Sequence, residues 1–204
     1  MKIYLIRHGE SLANLGLVSA DFSMDNQNSL SQKGENQIQA IIPAFQNCNI
    51  VRIFSSPMKR AVDSAKILQS GLINAPKITI DNRLKEIDYG IYTDDRNNPE
   101  MQNIAKKQIA GDQEIRFGDG ENMREILGRF LDFLVTTYKI RQNDEIIILS
   151  HGRLLSIVSK KIEELCQKKI KKSKIVNASI IEVELNNDEI NLLKTYLNTL
   201  KSQF

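Results

Sequence analysis

The chain has 204 residues, 41% of them hydrophobic and 26% charged, with a formal net charge of +3 at pH 7. That balance excludes a disordered, collagen-like or coiled-coil chain, and the length supports one sizeable core without a disulfide or metal staple. Two cysteines, Cys48 and Cys166, cannot build a disulfide framework, and neither has a Cys or His at metal-ligand spacing, so free thiols are expected.

Short apolar runs alternate with longer amphipathic stretches, the pattern of an α/β protein. Lys2 to Ile6 reads as a buried strand. Ser31 to Gln46 reads as a helix, with Ile38, Ile41, Ile42 and Phe45 at helical spacing. Ile50 to Phe54 is a second strand, and Ser55-Ser56-Pro57 supplies an N-cap and first-turn proline for a helix running through Leu68. A short strand at Lys77 to Ile80 precedes a polar, irregular segment from Glu86 to Asp119, with one helix around Met101 to Ile109. Glu121 to Tyr138 is a helix, Glu145 to Leu149 a strongly apolar strand, and Leu154 to Leu165 a further helix. Ser179 to Leu185 alternates as a strand, and Ile190 to Leu197 reads as its hairpin partner across Asn186-Asn187-Asp188. No repeat or linker divides the chain. One domain over residues 1–204 with a polar lid insertion at about 92–119 is therefore expected.

The apolar run Ile3 to Ile6 is cut by Arg7 and His8, too short for the h-region of a secretory signal. No stretch approaches the roughly 20 apolar residues of a membrane helix. A cytoplasmic protein without a membrane partner is expected. Between Lys160 and Lys174 stand seven lysines against two glutamates. No aromatic residue interrupts this run to stack on bases, so it reads as a solvated helix end and loop, and no nucleic-acid partner is expected.

Both histidines of the chain occur in one context. His8 follows the first strand in Leu5-Ile6-Arg7-His8-Gly9, and His151 follows a later strand in Leu149-Ser150-His151-Gly152. In a mostly parallel sheet the loops at the carboxyl ends of the strands converge on one crevice. Gly9 and Gly152 permit a tight turn or close backbone approach there. The second strand feeds Ser55-Ser56-Pro57-Met58-Lys59-Arg60 into the same edge. Two guanidiniums, Arg7 and Arg60, two imidazoles and helix N-termini then share one crevice, which fits a phosphate.

The run Arg7-His8-Gly9-Glu10-Ser11 with Asn14, and Ser56-Pro57-x-x-Arg60-Ala61, resemble signatures of the histidine phosphatase superfamily, the phosphoglycerate-mutase-like proteins that carry an Arg-His-Gly motif. Leu84-x-Glu86-x-x-Tyr89-Gly90, Gly120-Glu121-Asn122, Ser150-His151-Gly152 and Asn177-Ala178-Ser179 follow in the same order. The resemblance implies a three-layer α/β/α sandwich with a mostly parallel central sheet. It also implies that His8 is the nucleophile, forming a phosphohistidine. Arg7, Arg60 and His151 would hold the nonbridging oxygens, assisted by Asn14, and Glu86 would be the acid/base, with Asp88 as fallback. Ser11, Tyr89, Gly152 and Arg153 are further candidates for substrate contact. No metal and no other cofactor is implied.

These roles agree with the physics. Only neutral imidazole is nucleophilic, and one ring nitrogen has to be pinned, by backbone in the simplest case, so that the other faces phosphorus. Fixed cations stabilise the charge spread over the equatorial oxygens. The 92–119 segment, rich in Asn, Gln, Lys and Asp, suggests a polar lid over a small hydrophilic phosphoester, with Lys106, Lys107 and Arg116 available to a second anionic group. Where the family often carries Trp-Glu-Gly, this chain reads Ile91-Tyr92-Thr93. A metal-independent phosphatase acting on a phosphorylated metabolite is expected. The alternatives are a phosphoglycerate-type mutase and a phospholigand-binding protein with little turnover.

Overall fold

The structure is a computed structural model that describes residues 1–20, 22–95, 97–141, 143–170 and 174–202. Five strands form one sheet: β1 (Lys2–Arg7), β2 (Ile50–Ser55), β3 (Ile78–Ile80), β4 (Glu145–Ser150) and β5 (Ile180–Glu184). Their spatial order is β3-β2-β4-β1-β5, parallel throughout except for β5, which runs antiparallel to β1 at one edge.

The two-residue period of the strands divides the core into two layers. On one face Tyr4, Ile6, Ile53, Ile147 and Leu149 pack with Ile38 of helix α1 (Gln32–Ile41) and with Ala65 and Leu68 of α2 (Lys59–Gly71). On the other, Ile3, Leu5, Ile146 and Ile148 pack against α4 (Met123–Arg141), α5 (Gly152–Cys166) and α6 (Asn187–Lys201). The segment between β3 and α4 holds α3 (Pro99–Ile109), whose Met101 and Ile104 join this second layer. The result is the three-layer α/β/α sandwich expected from the sequence.

Two elements depart from the sequence reading. The first helix ends at Ile41 and tightens into a 3-10 turn over Ile42–Phe45, because Pro43 has no N–H to continue the α-ladder. The second helix starts only at Lys59, with Met58 as its cap residue. Ser56, the expected N-cap, instead turns its hydroxyl toward His151.

The largest correction is at the C-terminus. Ile190 to Leu197 is not a hairpin strand but the middle of α6. Asn186 accepts from Glu189 N at 2.9 Å, and Glu189 accepts from Asn186 N at 2.9 Å, a reciprocal cap that starts a helix immediately after β5. Ile190, Leu193, Leu197 and Leu200 then fall on one face and are buried in the second layer.

Among the described residues no helix is long and apolar enough to cross a membrane. In the basic run, Lys161 pairs with Glu164 and lies over the Tyr196 ring, and Lys168 pairs with Glu189. Lys171 and Lys172 lie outside the described residues, as does Arg96 of the polar insertion.

Candidate active site

The register of β1 on β4 sets the two histidines side by side. Arg7 pairs with Ser150, so the next residue of each strand, His8 and His151, leaves the sheet at the same level. His8 N donates to Ser150 O at 3.1 Å, and the imidazole centroids stand 5.1 Å apart. On the other side of β4, β2 delivers Ser56 and then the first turn of α2. Three parallel strands therefore point their carboxyl ends at one recess of about 700 Å³, walled in part by Arg7, His8, Ser11, Asn14, Arg60 and Glu86.

His8 is 3% exposed, and both its ring nitrogens are engaged. Nδ1 lies 2.6 Å from Gly9 O, and since a carbonyl only accepts, Nδ1 carries the hydrogen. Nε2 is then an acceptor in the neutral ring, and Arg60 Nε donates to it at 3.2 Å. Backbone thus fixes the tautomer. Arg60 is itself buried, with Nη1 on Asp25 Oδ1 at 3.2 Å and Nη2 on Met58 Sδ. Asp25 spends its second oxygen on Lys59 N at 2.7 Å, tying the acid to the start of α2.

His151 is fully buried and is not among the residues lining the recess. Its Nε2 lies 2.8 Å from Ser56 Oγ, and its Nδ1 has no partner among the described residues. Burial first, then the charge of Arg60, holds its pKa well below the usual histidine value. The ring is neutral across the physiological range.

Arg7 donates through Nη1 to Ile175 O at 3.1 Å, and its guanidinium passes directly over Gly152. A Cβ there would lie 3.0 Å from Arg7 Nε. The glycine after His151 is what lets the guanidinium rest against the first turn of α5. Asn14 Oδ1 accepts from Ser11 N and from Asn177 Nδ2, both at 3.1 Å, and Ser11 Oγ is buried with no partner among the described residues.

Glu86 is 8% exposed. Its Oε1 accepts from Ile87 N at 3.0 Å and from Leu154 N, in the first turn of α5, at 3.2 Å. Asp88, the fallback acid, is a turn residue whose Oδ1 accepts from Gly90 N. On the far side of Arg7 and Glu86 a second recess of about 340 Å³ is lined by Gly152, Arg153, Ser156 and Ile175.

Other expected contacts lie elsewhere. Tyr89 is buried edge-on against Phe117, 5.0 Å between centroids, and does not line the recess. Arg116 grips both oxygens of Glu125 and donates to Gly120 O, while Lys106 and Lys107 sit exposed on α3. None of the three borders the recess. The insertion instead contributes Thr93, Asp94 and Asn97 to its wall, and Asp94 laces across to the loop after β1 by accepting from Ser19 Oγ and Ala20 N. Asp25 and the pairing of Ser56 with His151 were not read from the sequence. Asp25 stands in a polar stretch with no local signal, and Ser56 looks like an ordinary helix cap. Among the described residues no group of three or more His, Cys, Asp or Glu side chains could hold a metal ion.

The family model of the histidine phosphatase superfamily, branch 1, matches residues 3–198. A curated relative from Salmonella arizonae named "Probable phosphoglycerate mutase GpmB" is 27% identical over 187 residues, covering 90% of this chain and 85% of the relative. Among solved structures, a mycobacterial glucosyl-3-phosphoglycerate phosphatase complexed with VO3 superposes with a TM-score of 0.72 at 19% identity, over 93% of each chain. A phosphoserine phosphatase variant from Entamoeba histolytica, in complex with phosphoserine, gives 0.67 at 23% identity over 91% of each chain. These structural likenesses establish the fold.

Proposed function

Since the chain belongs to the histidine phosphatase superfamily, we propose that it is a metal-independent phosphatase that hydrolyses a small phosphomonoester through a phosphohistidine on His8. One observation carries this reading: a histidine whose Nδ1 is pinned by its own neighbour's carbonyl and whose Nε2 faces a buried guanidinium. A neutral imidazole held this way has its lone pair aimed into the recess, where an incoming phosphoryl group displaces the Arg60 contact and takes up the guanidinium through its oxygens.

The steps follow. His8 Nε2 attacks phosphorus in line, the ester P–O bond breaks, and Glu86 gives its proton to the departing alkoxide. Arg7 and Arg60 balance the charge on the nonbridging oxygens. Behind this charge the fully buried His151 holds Ser56 in place, its Nε2 2.8 Å from Ser56 Oγ, which also accepts from Met58 N. Water then attacks the phosphohistidine, Glu86 takes its proton, the N–P bond breaks and phosphate leaves. Both backbone bonds to Glu86 fall on Oε1, so Oε2 is the atom that exchanges the proton.

The names of the curated relatives favour a second reading, a phosphoglycerate-type mutase that returns the phosphoryl group to another hydroxyl of the bound sugar acid. Incubation with p-nitrophenyl phosphate and with 3-phosphoglycerate, without added metal, separates the two. Phosphate release without 2-phosphoglycerate supports the phosphatase; isomer formation replaces it with the mutase. Neither product, with a phosphate ester still bound, leaves a phospholigand-binding protein. His8→Ala is expected to abolish both turnover and acid-labile labelling of the protein by substrate phosphate.

A further inference from the structure

Glu121 and Arg129 take no part in the steps above, yet their side chains form a polar cluster beside the site. Arg129 lies in α4, a helix whose inward face is otherwise apolar, and its side chain is 17% exposed. All five of its N–H donors are placed. Nε and Nη2 grip the two oxygens of Glu121 at 2.7 and 3.0 Å. Nη1 donates to Arg83 O at 2.7 Å and to Lys85 O at 2.8 Å, and Nη2 to Glu86 O at 3.3 Å. Three carbonyls within four residues thus converge on one guanidinium.

Glu121 closes the ring from the other side. Its Oε2 also accepts from Asp88 N at 3.0 Å, and its own N–H donates to Asp88 O at 2.9 Å. Gly120, just before it, approaches so near that a Cβ would stand 2.3 Å from Asp88 O. The backbone on both sides of Glu86 is therefore tied to a single charged pair.

We propose that Arg129, clasped by Glu121, is the positioning residue for Glu86: it fixes the 83–88 backbone so that the carboxylate meets the leaving oxygen. This rests on Glu86 being the acid and base. The planar five-donor fork is essential to the arrangement, since lysine offers three donors from one point and cannot span the carbonyls and the carboxylate together. Misplacement of a catalytic group by about 1 Å costs on the order of 100-fold in rate. That loss falls only on reactions that need protonation of the leaving group.

The test is a leaving-group series of aryl phosphates, from dinitrophenyl to phenyl, run on wild type, Arg129→Lys, Glu121→Gln and Glu86→Gln. Arg129→Lys is expected to lower kcat/KM for phenyl phosphate about 100-fold while changing the dinitrophenyl ester less than about 3-fold, and Glu121→Gln to move the same way. In the Glu86→Gln background, Arg129→Lys should add no further leaving-group dependence. A uniform fall across the series, or none, in both clasp variants overturns the positioning role, whatever their melting temperatures. If Glu86→Gln itself leaves the series flat, the acid assignment has failed and the proposal falls with it; if only the clasp variants stay flat, the acid assignment stands and the clasp is structural. Should Arg129→Lys not fold, Glu121→Gln, which keeps the side chain's shape but turns one of its two acceptor oxygens into an NH2 donor, decides alone.

Discussion

The imidazole of His151 lies 5.1 Å from that of His8, ring centroid to centroid, with the planes at 60°. With the guanidiniums of Arg60 and Arg7 close by, a proton on the fully buried His151 ring is costly. Burial first, and the neighbouring charges second, hold His151 well below its usual pKa of 6.5.

The sign of the stability effect follows from linkage. In the unfolded chain His151 binds a proton near pH 6.5, whereas the folded protein resists it, so the unfolded state gains protons first as pH falls. This contribution to stability is complete above pH 6.5 and is lost progressively below it. His151→Gln removes it. Thermal melts between pH 7.5 and 5 should show wild type losing more of its Tm than the glutamine variant; parallel curves would refute a neutral buried His151.

Arg60 does two things at once, donating to His8 and pairing with Asp25. Replacing it by lysine keeps the charge but cannot reach both partners, and kcat should fall by about 100- to 1000-fold, the range for losing one fixed donor to transition-state charge. Asp25→Asn keeps an acceptor for Lys59 N while removing the charge and the acceptor that faces Arg60. Its expected effect is smaller, about 10-fold, because Arg60 still has His8 and Met58 to hold it. Steady-state kinetics on p-nitrophenyl phosphate checks the order of the two; an Asp25 variant as impaired as the Arg60 one would show that the ion pair, not the donor, is limiting.

The loop carrying His8 is held down by a contact between two glycines. A Cβ on Gly9 would lie 2.3 Å from Gly34 O, and one on Gly34 would lie 2.0 Å from Glu10 O, in both cases against backbone that cannot rotate away. Either alanine variant should destabilise the fold by about 1–3 kcal/mol, a fall of some ~3–10 °C in Tm for a chain of this size. Gly128, inside α4 with nothing within 4 Å of its virtual Cβ, is the control. Gly128→Ala should raise stability by up to about 1 kcal/mol through helix propensity alone. Calorimetry that ranked the three alike would contradict the packing.

How much of this could be read in advance depended on where the information was local. The strands β1, β2 and β4 are apolar runs, followed at once by His8 and His151 and, after β2, by the helix turn that carries Arg60, so both the sheet and the convergence of these three residues were legible. Ile190 to Leu197 was misread because a few residues after a strand fit alternation nearly as well as helical spacing. The deciding signal was the reciprocal Asn186–Glu189 cap. Asn186→Ala should cost the protein about 1 kcal/mol, which urea melts can resolve. Arg116, Lys106 and Lys107 show the opposite limit: a charge in a polar loop carries no sign of its partner, and only folding reveals that Arg116 faces Glu125. Asp25, some 35 residues from the arginine it holds, belongs to the same class.

At Gly152 a single added atom separates activity from stability. Gly152 opens α5, and a Cβ added there would come within 3.0 to 3.2 Å of Arg7 Nε, Cδ and Cζ. That is tighter than ordinary contact, but the neighbour is the end of a flexible side chain, so the guanidinium can yield by a few tenths of an ångström without disturbing backbone. Its bond to Ile175 O at 3.1 Å limits the direction in which it can move. Alanine also favours the helix over glycine, by up to about 1 kcal/mol. Gly152→Ala should therefore leave Tm unchanged or higher, while kcat/KM falls about 10-fold as Arg7 is displaced from the phosphoryl oxygens. A variant both more stable and fully active would show that the placement of Arg7 over the first turn of α5 does not matter to turnover, and Arg7 would lose its role in charge stabilisation.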